Sequence, residues 1–103
     1  RAEGRTVFIN MTADWCLSCL ANERVALSSD AVQSAFADGQ VAYLKGDWTN
    51  GDPAITAVLE QFGRNGVPLY VVYHPGQAPQ LLPQILTPDI VLTAIKAPNG
   101  VIP

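Results

Sequence analysis

Two cysteines separated by two residues hold the most reactive chemistry in this sequence. Cys16 and Cys19 are its only cysteines, and they follow an apolar run, Thr6 to Thr12, that has the pattern of a β-strand. A helix that begins at Cys16 presents its unpaired N–H groups and its dipole to the sulfur, which stabilises a thiolate. Cys16 is therefore predicted to be an attacking thiol, and Cys19, one turn further, the resolving thiol that releases a covalently bound partner.

A zinc site and a purely structural disulfide are the alternative interpretations of this pair. Tetrahedral zinc takes four ligands, and beyond the cysteines the chain offers only His74 and carboxylates to complete the set. A disulfide that closes so short a loop restricts the unfolded chain little, so it adds little stability. Dithiol–disulfide exchange is therefore the favoured chemistry, and no metal site is predicted.

Length and composition indicate one globular domain, residues 1–103. The chain is 49% hydrophobic, which is ample for a core. Its net charge is −3 with 6 Lys and Arg residues, so nucleic acid and anionic membrane surfaces are not expected partners. The longest apolar run, Val67 to Tyr73, is far shorter than the about 20 residues of a membrane span. Because Arg1 to Arg5 contain no apolar signal core, we expect a domain excised from a longer chain.

Apolar spacing and turn residues predict alternating strands and helices. After the first strand, a helix is predicted from Cys16 to Leu27 and a short helix, capped by Asp30, from Ala31 to Ala37. A second strand follows from Val41 to Trp48, and then a helix that begins at Pro53, with Asp52 as its cap, and stops near Gly63. The remaining elements are a strand from Leu69 to Tyr73, a short strand from Gln80 to Leu82, and a last helix that begins at Thr87 and ends before Pro98. Right-handed crossover makes the first two strands parallel neighbours, and the short connection at Pro75 makes the last two an antiparallel hairpin.

This order of elements is that of the thioredoxin core, an α/β fold with a central mixed four-stranded sheet flanked by helices. Two motifs make the resemblance specific: Trp-Cys-x-x-Cys, which begins at Trp15, and Gly-Val-Pro, which ends at Pro68. The chain thus resembles the thioredoxin superfamily. The resemblance implies that Pro68 is cis and lies against the cysteine pair, and that the backbone of Val67 is free to pair with an extended substrate segment. Trp15 is predicted to pack beside the disulfide and shield it.

Within that superfamily the chain is similar to the C-terminal periplasmic domain of DsbD-type membrane reductases, including their ScsB-like relatives. The matching strings span nearly the whole chain: Ala13-Asp14-Trp15-Cys16, Asn22-Glu23, Asp47-Trp48-Thr49-Asn50, Asp52-Pro53, Phe62-Gly63-Arg64 and Gly66-Val67-Pro68-Leu69-Tyr70. The resemblance implies a periplasmic domain of an inner-membrane protein. Such a domain takes electrons from a cysteine pair in the transmembrane domain of the same chain and passes them to periplasmic thioredoxin-like or disulfide-carrying proteins, with no bound cofactor.

Asn10 is a departure from the pattern of these families, which resemble one another in having a buried Asp at this strand position. An Asn accepts no proton at neutral pH, so Glu23, on the same predicted helix four residues after Cys19, is the remaining carboxylate for proton transfer. The resemblance supports a catalytic role for Glu23, and a solvated surface glutamate is the alternative. His74 is predicted to be a turn residue with no catalytic role.

Two other functions fit the same two thiols. A copper-binding or cytochrome c and copper-site maturation module uses thiols as soft ligands, but copper carriers of this fold resemble one another in pairing Cys-x-x-x-Cys with a well-placed His, and the spacing here is two. A disulfide isomerase or oxidase uses the same exchange chemistry, with the direction set by the reduction potential. A protein-disulfide reductase is therefore the favoured prediction.

Overall fold

The computed structural model describes residues 6–96, which form a four-stranded sheet with helices on both faces. The elements are β1 (Val7–Thr12), α1 (Leu17–Asn22), a π-helical segment (Glu23–Leu27), α2 (Asp30–Asp38), β2 (Ala42–Asp47), α3 (Pro53–Gln61), β3 (Leu69–Tyr73), β4 (Gln80–Leu81) and α4 (Pro88–Lys96). Within residues 6–96, no helix has the length and apolar character needed to cross a bilayer. The predicted end of the last helix at Pro98 lies outside the described residues.

The strand order β2-β1-β3-β4 makes β1 and β3 the central strands. β1 runs parallel to β2 and antiparallel to β3, and β4 pairs antiparallel with β3 at the edge. Asn10 in β1 lies opposite Lys45 on one side and Tyr70 on the other. The predicted fold, a mixed four-stranded sheet with a parallel first pair and a final hairpin, is confirmed.

Apolar side chains cover both faces of the sheet. On one face, Phe8, Tyr70 and Val72 pack with residues of the π-helical segment, α2 and α4. On the other face, Leu69 and Val71 pack against Leu59 of α3. Because successive strand residues point to opposite faces, the continuous apolar run in β3 is buried on both sides, as predicted.

Three local predictions need correction. The cap of α2 is Ser29, whose Oγ accepts a hydrogen bond from the Val32 N–H at 3.2 Å, and Asp30 is the first helical residue. The second strand is shorter at both ends than the predicted range 41–48. The first helix does not continue regularly to Leu27, because the backbone widens into a π-helical turn in which the Ser28 N–H donates to the Glu23 carbonyl at 2.8 Å.

His74 follows the last residue of β3 and begins a turn, as predicted, since its carbonyl accepts from the Gln77 N–H at 3.0 Å; its side chain is buried. Its Nε2 lies 2.7 Å from the Ala94 carbonyl oxygen, and its Nδ1 lies 3.2 Å from the Thr6 hydroxyl. A carbonyl only accepts hydrogen bonds, so Nε2–H donates and Nδ1 accepts from the hydroxyl. His74 thus joins the end of β3 to α4 and to the residue before β1, and it has a structural role.

Tyr70 is expected to reduce stability at alkaline pH. Burial raises the pKa of its hydroxyl from 10.0 to about 12 against the opposing effect of the Asn22 hydrogen bond. The folded state therefore holds the proton more tightly than the unfolded state, so this stabilisation is complete below pH 10 and is lost as the pH rises to 12. The loss should reach about 1 kcal/mol by pH 11.

Urea unfolding of the wild type and of Tyr70→Phe at pH 8, 10 and 11 measures this effect. Tyr70→Phe should be less stable at pH 8, because the buried Asn22 amide loses a partner. The difference between the two proteins should then shrink as the pH rises. A difference that stays constant up to pH 11 would contradict the raised pKa.

Candidate active site

The two cysteines lie where β1 leads into α1 and form a disulfide. Cys16 is the N-cap of α1, and its Sγ accepts a hydrogen bond from the Cys19 N–H at 3.2 Å. The two Cα atoms are 5.2 Å apart, as one helical turn requires. Cys16 is 7% exposed, whereas Cys19 is fully buried. An incoming sulfur atom therefore reaches Cys16 first.

The segment before β3 lies against this pair. The Val67–Pro68 peptide bond is cis, as predicted. Val67 packs against the small cluster formed by Ala13, Cys16 and Cys19, and Pro68 is buried behind it. The structure thus brings together the cysteine motif and the Gly-Val-Pro motif, which are about 50 residues apart in the sequence.

Trp15 lies at the surface beside the motif and is 56% exposed. Its Nε1–H donates to the Thr49 carbonyl at 3.0 Å, and its ring centroid is 6.0 Å from that of Trp48. These contacts fix the orientation of an indole that remains accessible to a partner.

Thr49 organises the loop that holds Trp15, and sequence reasoning missed it. Its Oγ1 accepts from the Asp14 N–H at 2.8 Å, while its own hydroxyl and N–H both donate to the Asp47 carboxylate. Those two hydrogen bonds hold the pKa of Asp47 below its usual value. The available signal was the string Asp47-Trp48-Thr49-Asn50, which carries a short Asp-x-Thr turn.

Asn10 of β1 is fully buried. Its Nδ2 donates to the Tyr43 hydroxyl at 2.8 Å. Its Oδ1 is buried and has no hydrogen-bond partner among residues 6–96. The buried side chain of Asn10 is therefore neutral, and only its amide nitrogen is hydrogen-bonded.

Glu23 begins the π-helical segment, and its backbone N–H bonds to the Cys19 carbonyl. Its Oε2 lies 3.7 Å from Lys45 Nζ, and the side chain is 25% exposed. That oxygen is shielded from solvent and has no hydrogen-bond partner in the described part of the chain. Glu23 is thus neither buried nor freely solvated. Lys45 was missed in the sequence, although strand alternation places it directly opposite Asn10.

Asn22 is a third residue that sequence reasoning left without a role. Its Nδ2 donates to the Tyr70 hydroxyl at 2.9 Å and to the Gln84 carbonyl at 2.8 Å, and its Oδ1 accepts from the Leu86 N–H at 3.0 Å. A buried amide with both ends satisfied fixes α1 against β3 and against the loop before α4.

A metal-binding interpretation is not favoured. Within the part of the chain that the structure describes, no group of three or more His, Cys, Asp and Glu side chains lies close enough together to hold a metal ion. His74 bonds to Thr6 and Ala94 at the far end of β3 from Pro68. The two sulfurs are bonded to each other, and the arrangement supports thiol–disulfide exchange.

Comparisons with known proteins agree with this chemistry. The model of the family described as "Thioredoxin-like" matches residues 1–75. The chain is 32% identical over 76 residues to thiol:disulfide interchange protein DsbD 1 of Pseudomonas aeruginosa, covering 74% of this chain and 12% of that protein. It is 35% identical over 72 residues to DsbD of Ralstonia nicotianae, covering 70% of this chain and 12% of that protein. The chain therefore spans about an eighth of the length of these relatives.

A solved structure of a DsbD domain has a similar fold. The oxidised C-terminal domain of DsbD from Neisseria meningitidis superposes with a TM-score of 0.72 at 25% identity, covering 85% of this chain and 75% of that one. The predicted resemblance to DsbD-type domains is confirmed. With the family model matching most of its length, the chain belongs to the thioredoxin-like family.

Proposed function

We propose that this domain is a protein-disulfide reductase that relays electrons from a membrane-embedded cysteine pair to periplasmic disulfide-carrying proteins. The observation that carries the proposal is the Cys16–Cys19 disulfide, in which Cys16 is the N-cap of α1 and is 7% exposed, whereas Cys19 lies one turn further and is fully buried. The similarity to DsbD proteins supports the exchange chemistry. The membrane domain, the periplasmic location and the identity of the recipients are the proposed part.

The exchange has two steps. In the reduced domain, the Cys16 thiolate attacks one sulfur of a partner's disulfide, and the partner's other sulfur leaves and takes up a proton. Cys19 then loses its proton and attacks Cys16 Sγ, which forms the Cys16–Cys19 disulfide and releases the partner's second thiol. Two electrons and two protons pass to the partner. The domain is reduced again by the reverse sequence, which begins with attack of a donor's thiolate on Cys16 Sγ.

The neighbouring residues have distinct proposed roles. Val67, positioned by its cis peptide bond to the buried Pro68, lies beside the cysteine pair, where an extended partner segment binds, and Trp15 forms the adjacent exposed surface. Glu23 carries the proton away from Cys19 during the second step. Its position one turn after Cys19 and its pairing with Lys45 support this role, since a nearby cation lessens the repulsion between the carboxylate and a thiolate.

A chimera tests the relay. Residues 1–103 would replace the C-terminal domain of Escherichia coli DsbD, and the redox state of a periplasmic recipient would be measured by thiol alkylation in cells that lack the native protein. We expect the chimera to restore reduction of the recipient. The same chimera with both cysteines changed to Ser is the matched control and should restore none. A chimera that fails, although the isolated domain exchanges disulfides normally, would contradict the relay and leave the exchange chemistry in place.

A further inference from the structure

An exposed apolar groove lies beside the cysteine motif and has no part in the steps described so far. One wall is formed by α1 and the π-helical segment, and the other by the loop before α4. The side chains that line it include Leu17, Ser18, Ala21, Val25, Ile85 and Leu86. We call it the α1 groove. It encloses about 370 Å³ and is open to solvent. Among the residues that the structure describes, no charged one lines it.

The apolar side chains at the rim of the α1 groove are unusually exposed. Leu17 is 80% exposed, Val25 57% and Ile85 66%. Single exposed apolar residues are common on protein surfaces, but several around one concavity indicate a binding surface. The groove is therefore suited to an apolar side chain of another molecule.

The two walls are held at a fixed separation. The buried Asn22 amide lies between them, donating to the Gln84 carbonyl at 2.8 Å and accepting from the Leu86 N–H at 3.0 Å. Its third bond, to the Tyr70 hydroxyl, fixes it to the sheet. A groove whose walls are already positioned loses little conformational entropy when a ligand binds.

One end of the α1 groove is formed by residues of the cysteine motif itself. Leu17 and Ser18 are the two residues between the cysteines, and they also line the groove. From Leu17 the groove follows the helix to Val25, about 12 Å at 1.5 Å per residue. An extended segment advances about 3.3 Å per residue, so side chains within about four residues of a cysteine bonded to Cys16 reach the whole groove.

We propose that the α1 groove binds a large apolar side chain that lies within about four residues of the partner protein's reacting cysteine. The proposal rests on the exchange function above and adds a preference among its substrates. The occupant is the partner segment itself, because the mixed disulfide with Cys16 holds that segment next to the groove. A second copy of this chain is less suitable, since a stable interface uses about 20–30 residues a side and the groove is much smaller.

Disulfide-linked peptide homodimers test this proposal. Two nine-residue peptides share one central cysteine and differ only in having Leu or Ser two residues to each side of it. The rate constant for oxidation of the reduced domain is measured with each homodimer by acid quench and mass spectrometry. Each value is divided by that for bis(2-hydroxyethyl) disulfide with the same variant, which removes effects on the intrinsic reactivity of Cys16.

The wild type should prefer the Leu peptide by about fivefold, as expected for partial burial of two apolar side chains. Val25→Ser and Ile85→Ser should each reduce the preference by half or more, and the double variant should abolish it. Leu44→Ser is the matched control, because Leu44 is 51% exposed on β2 and is not part of the groove. This variant should retain the wild-type preference.

Three results would overturn the proposal. The first is a wild-type preference near one, and the second is a preference that both groove variants leave intact. The third is self-association of the wild type in sedimentation that the groove variants abolish, which would assign the groove to a second copy. If the wild type fails to react even with the hydroxyethyl disulfide, the exchange function itself is wrong, and this proposal is wrong with it.

Discussion

A Cys19→Ser variant is expected to accumulate a covalent complex with a disulfide-bonded protein, whereas Cys16→Ser accumulates none. Cys16 is the more exposed of the two cysteines, at 7%, and Cys19 is fully buried. The Cys19 N–H donates to the Cys16 sulfur at 3.2 Å, and a hydrogen bond of this kind is stronger when the acceptor is a thiolate. Without Cys19, the first step therefore proceeds and the second does not. Without Cys16, the first step has no accessible nucleophile.

Both single variants should lose turnover by about a thousandfold or more, because each removes a group that forms a bond in the cycle. Each reduced variant is mixed with insulin, and the products are separated by non-reducing electrophoresis and identified by mass spectrometry. A variant with both cysteines changed to Ser controls for noncovalent adhesion. Equal trapping by the two single variants would show that the assignment of the attacking and resolving sulfurs is wrong.

The parts of the fold that the sequence predicts are those determined by residues close together in the chain. Strand alternation, the Asp52–Pro53 helix start and the short hairpin after Tyr73 are local patterns, and right-handed crossover converts their order into the sheet topology. The Cys-x-x-Cys spacing fixes the disulfide because one helical turn brings the two sulfurs together. These features were all recovered.

The parts that the sequence did not predict depend on contacts between distant residues. Asn22 bonds to Leu86, 64 residues away, and His74 bonds to Thr6, 68 residues away. Nothing near Asn22 or His74 in the chain indicates these partners. Glu23 shows the same difference between local and distant contacts. Its position on a helix four residues after Cys19 could be predicted from the sequence, whereas its pairing with Lys45 depends on how the π-helical segment lies relative to β2. These contacts between polar side chains therefore required the structure.

A buried polar residue of β1 gives the second large effect, which concerns Asn10→Asp. The new carboxyl would be fully buried, with the Tyr43 hydroxyl as its neighbour. Burial raises the pKa of a carboxyl by as much as about 3–5 units. Lys45 opposes this shift, but its side chain is 50% exposed and already pairs with Glu23, and such exposed pairs contribute only about 0–1 kcal/mol. Burial therefore dominates, and the pKa of the new Asp should lie well above about 3.9.

The sign of the stability change follows from this shift. A carboxyl with a raised pKa in the folded state binds its proton more tightly there than in the unfolded chain. Asn10→Asp should therefore be close to wild-type stability below pH 4. It should lose about 1.4 kcal/mol per pH unit above that, until the folded-state pKa is passed. Urea unfolding at pH 4, 5.5 and 7 measures the loss, and a variant whose stability relative to wild type is the same at all three would contradict the argument.

Asn10 and Glu23 are expected to determine how the exchange rate depends on pH. Because Asn10 does not ionise, Glu23 is the carboxylate proposed to accept the Cys19 proton. Glu23→Gln should therefore slow the reduction of bis(2-hydroxyethyl) disulfide by about tenfold and change how the rate varies between pH 5 and 9. Asn10→Asp should add an ionisation to that profile. Glu60→Gln, an exposed change on α3 over the opposite face of the sheet, controls for the loss of one negative charge. If Glu23→Gln and Glu60→Gln both keep the wild-type rate and profile, proton transfer passes directly to solvent, because no carboxylate behind the motif is then needed.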